Sequence, residues 1–302
     1  MTHYLSTMST VVVPIIIVCV IGIVMQRMRP VETASLASIS LFVLAPALVI
    51  VVLSDSHLNG QNVIQIALFT LLQGAMTWLV AKFTAKLFRM KGSSESALAL
   101  TTMFSNSNNY GLPVLLLAYG HTGLVNGATY VIGQIIIVNT VGLYVASRSQ
   151  VSPKDAFAQV MKAPLIYAVI VGVVLYFAHL HLPSSIGNGL SLLSNAYPGL
   201  VLLILGMQLG RIKSWIVRSK EVWIAVVLRV AIVPLLSEAA ILILHIHGIL
   251  AAILLVQSSM PAAVNAIILA SKYGSDEEMV TLTVALTTII SFVTLPALIA
   301  LA

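Results

Sequence analysis

Ten long apolar runs, separated by short polar segments, constrain the fold of this chain more than any other feature. Each run is close to the roughly 20 residues that a helix needs to cross the hydrocarbon core of a bilayer. The runs are continuous rather than alternating, and backbone groups in lipid must be bonded internally, so we predict helices and not a β-barrel. We place these spans, numbered 1 to 10, at about 9–26, 35–53, 62–86, 95–119, 124–146, 162–182, 190–210, 219–244, 248–272 and 279–301.

The low content of charged residues supports an all-α integral membrane protein. Hydrophobic residues make up 59% of the 302 residues and charged residues only 8%, whereas a soluble domain carries about 25% charged residues. The formal net charge of +6 does not indicate nucleic acid binding, because the basic residues lie in short gaps between spans rather than on one face. We therefore expect membrane lipid, and no nucleic acid, as a partner.

The lysine and arginine residues lie on one side of the predicted topology. All of them except Arg229 lie at the ends of spans 1, 3, 5, 7 and 9 or in the segments that follow. The positive-inside rule makes this side cytoplasmic. Because the number of spans is even, we expect both termini outside, in a multi-pass protein of a cell membrane.

Proline and glycine positions recur at about half the chain length. The matched pairs are Pro14 and Pro164, Gly22 and Gly172, Pro30 and Pro183, Pro46 and Pro198, and Pro113 and Pro261. Each half of this single membrane domain, about 1–150 and about 151–302, then contains five spans, so the two halves must have opposite orientations. Inverted repeats of this kind are typical of secondary transporters.

Spans 4 and 9 are interrupted in the middle by polar and helix-breaking residues. In span 4 the stretch 105–113 contains serines, asparagines and Gly111 and ends at Pro113, which lacks a backbone donor. The interruption in span 9 comprises Gln257, Ser258, Ser259, Pro261 and Asn265. Two broken helices in corresponding halves indicate a transport site. Their half-helix N-termini would present free amide groups and partial positive charge, which favours an anion.

The stretch Asn106-Ser107-Asn108-Asn109-Tyr110-Gly111-Leu112-Pro113 resembles the N-x-G-N-x-G-x-P signature of the auxin efflux carrier family. That family includes plant PIN-FORMED carriers and bacterial malate and malonate permeases. The stretch from Ser259 to Asn265 is similar to the second crossover of the family. Asn108 departs from the signature, because the family usually has glycine there. The resemblance extends over the chain in length, span number and break positions, and it favours the short bacterial type.

The resemblance implies an elevator-type fold, similar to that of bile acid symporters, built from two inverted five-helix repeats with broken, crossing helices in spans 4 and 9. Spans 1, 2, 6 and 7 would form a scaffold, often dimeric, and spans 3–5 and 8–10 a moving transport domain. It also implies a substrate role for Asn106, Asn109, Pro113, Pro261 and Asn265. The full predicted substrate site is Asn106, Asn108, Asn109, Tyr110, Gly111, Pro113, Gln257, Ser258, Ser259, Pro261, Asn265 and Arg229.

Span 8 contains two ionisable candidates. Arg229 lies about ten residues into the span, near the middle of the bilayer. It can act as a counter-charge for a carboxylate, or as a fixed partner for backbone carbonyl groups. Glu238 lies nearer the outside and is a candidate for the coupling proton if it is buried. The alternative reading of Glu238 is an interfacial residue.

All seven histidines lie outside or at the outer boundary, at His3, His57, His121, His179, His181, His245 and His247. The two H-x-H pairs lack the carboxylate or cysteine ligands expected of a closed metal site, so we expect no metal. Simple interfacial histidines are the favoured reading, and a pH response is the alternative. No H-E-x-x-H, G-x-S-x-G or P-loop motif is present. We therefore expect neither an enzyme nor a cofactor.

The function that fits best is a secondary active transporter of a small organic anion, such as malate or malonate, working by alternating access. We expect proton coupling, and sodium coupling stays open. A cation/proton antiporter on a related fold is an alternative, but it would need acidic residues at the crossing, and neither broken stretch contains one. A membrane sensor without flux is a second alternative, and it would favour an attached signalling domain, which we do not expect after span 10.

Overall fold

The computed structural model describes residues 2–55, 60–90, 92–137, 161, 164–178, 180, 182–212, 217 and 219–301. Within these residues the chain is helical, and its one β-type pairing is an isolated bridge between Ser105 and Ala262. In chain order the helices are α1 (Tyr4–Met28), α2 (Thr33–Ser54), α3 (Gly60–Leu87), α4 (Ser93–Met103), α5 (Leu112–Ile137), α6 (Pro164–Phe177), α7 (Ser184–Gly210), α8 (Lys220–Ile243), α9 (Ile249–Ser258), α10 (Asn265–Tyr273) and α11 (Glu277–Leu301). A sharp kink at Gly120 (φ 60°, ψ −145°) divides α5 into the second half of span 4 and the described part of span 5. The predicted all-helical class is confirmed for this part of the chain.

Six of these helices are long and apolar enough to cross a membrane, namely α1, α2, α3, α7, α8 and α11. They agree within a few residues with predicted spans 1, 2, 3, 7, 8 and 10. Helix α6 lies in span 6 and is shorter, and the end of span 5 lies outside the described residues. The total of ten spans therefore stays a prediction.

Short π-helical turns occur at a constant distance ahead of prolines. Four of them end two residues before a proline, with Met8–Val12 before Pro14, Ser40–Leu44 before Pro46, Ser107–Gly111 before Pro113 and Leu228–Ile232 before Pro234. Proline lacks an amide hydrogen and its ring clashes with the carbonyl group four residues earlier, so a wider turn accommodates it without ending the helix. The turn in α8 contains Arg229, so a proline shapes the backbone that carries this residue.

The helices pack in two groups. In the first helix group (α1, α2, α6 and α7), α7 packs along α1 and α2, and α6 packs along α2. In the second helix group (α3 to α5 and α8 to α11), α3 contacts α4, α5 and α8, while α11 contacts α4, α8 and α10. The groups meet where α1 contacts α5 and α11, where α2 contacts α5, and where α7 contacts α5 and the turn Ser107–Gly111.

Close approach within the first helix group depends on glycine. A Cβ atom on Gly206 of α7 would lie 2.0 Å from the carbonyl oxygen of Cys19 in α1, and one on Gly22 would lie 2.3 Å from the carbonyl oxygen of Leu203. A Cβ atom on Gly172 of α6 would lie 2.7 Å from the side chain of Leu53 in α2. Small residues allow such close helix packing in a membrane. The sequence-matched residues Gly22 and Gly172 thus join α1 to α7 and α6 to α2.

Large apolar side chains cover much of the outer surface. Phe42 of α2, Phe83 of α3, Leu192 of α7 and Leu235 of α8 are all exposed. A soluble monomer rarely exposes extended apolar patches, whereas lipid solvates them without cost. The surface therefore agrees with the predicted multi-pass membrane protein.

Candidate functional site

Both interrupted spans break where the sequence predicts. Helix α4 ends at Met103, Phe104 is extended (φ −103°, ψ 115°), and a helical turn resumes at Ser107. In the second half, α9 ends at Ser258 and α10 begins at Asn265. The polar residues and prolines of the two stretches thus leave a short non-helical segment in each span.

The two non-helical segments cross and pair through their backbones. The amide of Asn106 donates to the carbonyl oxygen of Pro261 at 2.8 Å, and the amide of Ala263 donates to the carbonyl oxygen of Phe104 at 2.9 Å. These hydrogen bonds form the antiparallel bridge between Ser105 and Ala262. Backbone groups released by the breaks are therefore bonded within the protein, as a hydrocarbon environment requires.

Arg229 connects the two broken spans where their first halves, α4 and α9, end. Its side chain is 1% exposed, and its guanidinium donates at 2.8 Å to the carbonyl oxygen of Thr102, at 2.6 Å to that of Ser258, and at 2.8 and 2.6 Å to that of Met260. These carbonyl groups lie at the C-terminal ends of α4 and α9, where the helix dipoles place negative charge. The sequence allows two roles for Arg229, a counter-charge for a carboxylate and a partner for backbone carbonyl groups. The structure shows the contacts that the second role requires.

The charge of Arg229 is balanced by these carbonyl dipoles. Among the described residues the one ion pair joins Lys82 and Glu95, at 3.0 Å. Burying a charge without such compensation is costly, and several short hydrogen bonds to a guanidinium reduce that cost. We conclude that Arg229 holds the crossing together.

Gln257 and Gly111 pack against each other beside the crossing. Nε2 of Gln257 donates to the carbonyl oxygen of Ser107 at 3.0 Å. A Cβ atom on Gly111 would lie 2.1 Å from Oε1 of Gln257, so the absence of a side chain there makes room for the amide. Tyr110 is buried, and its hydroxyl is hydrogen bonded to that of Ser291 at 3.2 Å. These predicted site residues therefore build the crossing.

A cavity of about 290 Å³ lies between the crossing and the first helix group. Its lining comes from α2 and α7 on one side and from the two broken spans on the other. The lining residues are Ala34, Ala37, Ser38, Ser40, Leu41, Asn108, Asn109, Val201, Ile204, Leu205, Gln208, Val264, Asn265 and Ile268. This described lining includes no charged side chain, so polar recognition in the cavity depends on amides, hydroxyl groups and backbone.

Both resumed half-helices begin at this cavity. Asn108 and Asn109 lie in the first turn after the break of span 4, and Asn265 is the first residue of α10. The first amide groups of a helix have no partner within that helix, and its N-terminus carries partial positive charge. The cavity thus combines two positive helix ends with the side-chain amides of three asparagines.

The predicted substrate-site residues divide into two sets. Asn108, Asn109 and Asn265 line the cavity. The others, which form the crossing and its immediate supports, are Asn106, Tyr110, Gly111, Pro113, Arg229, Gln257, Ser258, Ser259 and Pro261. Nδ2 of Asn106 and Oγ of Ser259 are buried without a hydrogen-bond partner, so these atoms can still bond a ligand or water. Substrate contact by any member of either set stays a prediction.

Of the two readings of Glu238, the structure favours the interfacial one, because its side chain is exposed and does not line the cavity. Glu238 lies nine residues beyond Arg229 on α8. Nine residues make about two and a half helical turns, which place the two side chains on opposite faces. With Arg229 directed into the crossing, Glu238 faces away, in agreement with the interfacial reading.

The wall that α2 and α7 contribute to the cavity was not predicted from the sequence. It includes the hydroxyl groups of Ser38 and Ser40 and the amide of Gln208. Tyr197 of α7, also not predicted, is buried and bonded to Asn108. The matched prolines of spans 2 and 7 are the sequence feature that points to this wall. Pro46 follows the π turn that contains Ser40, and Pro198 directly follows Tyr197.

The described histidines lie away from the cavity. His121, His245 and His247 are exposed. His57, His179, His181 and the side chain of His3 lie outside the described residues. In the part of the chain that the structure describes, no three histidine, cysteine or acidic residues come together as a potential metal site.

Residues 150–299 match the model of a family described as membrane transport protein. The second half of the chain therefore matches this family. It is also 25% identical over 268 residues to an uncharacterized transporter of Methanocaldococcus jannaschii, with 85% of each chain covered. It is 24% identical over 267 residues to an uncharacterized transporter of Methanothermobacter thermautotrophicus, with 88% of this chain and 87% of the relative covered.

The match to the membrane transport protein family agrees with the resemblance to auxin efflux carriers. It also agrees with the six long apolar helices and makes the chain a transporter rather than an enzyme, as the sequence predicts. The match covers the second half of the chain, which contains Arg229, the break of span 9 and Asn265.

Proposed function

We propose that this protein is a secondary active transporter of a small organic anion, with short dicarboxylates such as malate or malonate as the substrate class. The observation that carries this proposal is the cavity at which two half-helix N-termini meet Asn108, Asn109 and Asn265. Helix N-termini and amide donors favour an anion. A cation/proton antiporter is disfavoured, because the described lining offers no carboxylate to hold a cation.

The size and polarity of the cavity suit a short dicarboxylate. Its volume of about 290 Å³ is near the lower end of the roughly 300–1,000 Å³ that is usual for ligand pockets. The asparagine amides and helix ends can bond carboxylate oxygens, while Val201, Ile204 and Leu205 can pack against a short carbon chain. Neutral donors bind the anion without the desolvation cost of a buried lysine or arginine in the cavity.

Alternating access follows from the position of the cavity between two packed groups. In this proposal the first helix group is the scaffold and the second is the transport domain of an elevator. Movement of the crossing along the wall of α2 and α7 would carry a bound anion across the membrane. The equivalent close contacts of Gly22 and Gly172 support the inverted repeat, and with it ten spans in two halves of about 1–150 and about 151–302.

The proposed orientation places this cavity nearer the cytoplasm. Its lining residues Gln208 and Ile268 are followed closely by Arg211 and Lys272, which belong to the basic side. The positive-inside rule makes that side cytoplasmic, so both termini would lie outside the cytoplasmic membrane of a bacterial cell. A reporter fused to the C-terminus that is active only in the cytoplasm would contradict this orientation. A homodimer through the scaffold is part of the same proposal.

Proton coupling is the mechanism we propose for uphill transport, with sodium as the alternative ion. Glu238 gives little support, because it is exposed and faces away from the crossing. The outer histidines give more, because an exposed imidazole group can accept a proton and would then add positive charge at the outer entrance. His121, His245 and His247 are exposed and available for this role.

Transport by the purified full chain in proteoliposomes tests the proposal directly. We expect uptake of labelled malonate or malate, faster with an inwardly directed proton gradient than without one. A sodium gradient imposed at constant pH distinguishes the two coupling ions. Failure to transport any short mono- or dicarboxylate under all three conditions would overturn the proposed function.

A further inference from the structure

Tyr197 of α7 reaches across the boundary between the two helix groups to Asn108. Its side chain is fully buried, and its hydroxyl lies 2.8 Å from Oδ1 and 3.2 Å from the carbonyl oxygen of Asn108. Both neighbours are oxygen acceptors, so the hydroxyl is the donor. A buried hydroxyl requires such a partner, and here the partner lines the proposed substrate cavity.

The orientation of the Asn108 side-chain amide in turn fixes that of the Asn109 amide. Nδ2 of Asn108 donates to Oδ1 of Asn109 at 3.2 Å. A reversed Asn108 amide would place its own oxygen against Oδ1 of Asn109 and would lose this bond. With Oδ1 of Asn109 engaged, the nitrogen of that amide is the group left to donate beside the cavity.

We propose that Tyr197 is a positioning residue that, through Asn108, holds the Asn109 amide with its donor toward the cavity and thereby sets the preference for carboxylates over neutral amides. The inference rests on the proposed function for its substrate class. Asn108 is the residue that departs from the N-x-G-N-x-G-x-P signature, and a glycine at that position has no side chain to connect Tyr197 with Asn109. The chain of hydrogen bonds therefore depends on the side chain of Asn108.

The test compares two ligands of the same shape. Malonate offers only acceptors, whereas its diamide, malonamide, offers donors as well and is neutral. Binding of each to the purified full chain is measured by calorimetry for the natural protein, Tyr197→Phe, Asn108→Gly and the double variant. Tyr167→Phe is the matched control, because this exposed tyrosine of α6 bonds to the carbonyl oxygen of Met161, away from the cavity.

We expect the natural protein to prefer malonate. Tyr197→Phe should weaken malonate binding about tenfold, the equivalent of one hydrogen bond to a charged group, and leave malonamide binding unchanged. Asn108→Gly should have the same effect, and the double variant should be no weaker than Asn108→Gly alone. An unchanged malonate to malonamide ratio in Tyr197→Phe, or additive losses in the double variant, would overturn the proposal.

A second measurement keeps the inference separate from the substrate class. Thermal unfolding without ligand gives a double-mutant cycle for Tyr197 and Asn108. We expect Tyr197→Phe to lower the melting temperature less in the Asn108→Gly background than in the natural protein, because the bond to Oδ1 of Asn108 is already lost there and only the bond to the backbone carbonyl oxygen remains. If the natural protein binds neither ligand, the proposed function has failed, and additive shifts in this cycle would overturn the hydrogen-bonded connection as well.

Discussion

The guanidinium of Arg229 donates two hydrogen bonds to the carbonyl oxygen of Met260, at 2.8 and 2.6 Å, inside the crossing of the broken spans. Further bonds to Thr102 and Ser258 reach the C-terminal ends of α4 and α9. A cation of the protein itself thus lies where two helix dipoles end and where carbonyl groups have lost their helical partners.

Removing this cation should destabilise the fold. Arg229→Ala leaves several buried carbonyl oxygens without donors, and we expect a loss of about 3 kcal/mol or more, since unsatisfied buried groups cost roughly 1–3 kcal/mol each. Arg229→Lys should be intermediate, because an ammonium keeps the charge but lacks the planar fork of donors. Thermal unfolding of purified variants measures this, with exposed Arg27→Ala as the control. A melting temperature of Arg229→Ala equal to that of the natural protein would contradict the structural role assigned to Arg229.

Amide groups in the cavity should be essential for transport and dispensable for folding. Asn109→Ala and Asn265→Ala each remove a donor beside a half-helix N-terminus, and we expect initial uptake to fall at least tenfold, the loss of one or two hydrogen bonds to a carboxylate. The control is Asn195→Ala, an exposed position on α7. Membrane expression and melting temperature should stay natural in all three. Normal transport by both cavity variants would exclude the crossing as the binding site.

The sequence was sufficient for features that depend on local chemistry. The breaks of spans 4 and 9 were predicted correctly because proline and glycine act on the backbone of their own segment. The asparagines of the cavity followed from the same stretches, since unwound backbone in a membrane needs polar neighbours. Helix ends agreed within a few residues because hydrocarbon thickness limits span length.

The features that could not be predicted from the sequence depend on packing between distant segments. Tyr197 belongs to no motif, and an aromatic residue in an apolar span ordinarily packs in the core. Its role arises only because α7 contacts the turn that contains Asn108. The sequence left open whether Glu238 is buried, and only the direction of Arg229 into the crossing reveals that Glu238 faces the other way.

Close packing of α1 on α7 should tolerate no side chain at Gly206. In Gly206→Ala the new Cβ atom would overlap the backbone of Cys19, so the helices must separate, and overpacking of this kind costs about 1–3 kcal/mol. Gly199→Ala on the same helix is the matched control, because its Cβ atom meets nothing within 4 Å. Alanine favours a helix over glycine, so this control should be as stable as the natural protein or slightly more so. Equal thermal stability of the two variants would contradict the packing argument.

Outside acidity should accelerate uptake of the anion, and Glu238 should not be needed for it. Protonation of the exposed residues His121, His245 and His247 would make the outer entrance more positive and attract the substrate. Acid also protonates malonate or malate, so the substrate monoanion concentration must be held constant while the outer pH falls from about 7.5 to 5.5, across the reference pKa of histidine.

Glu238→Gln should retain the acceleration, because its side chain is exposed and faces away from the crossing, whereas replacing the three histidines by asparagine should reduce it. Flat initial rates in the natural protein, unchanged when the proton gradient is dissipated, would exclude proton coupling and favour sodium coupling or facilitated diffusion. Loss of the acceleration in Glu238→Gln alone would instead return Glu238 to the coupling site.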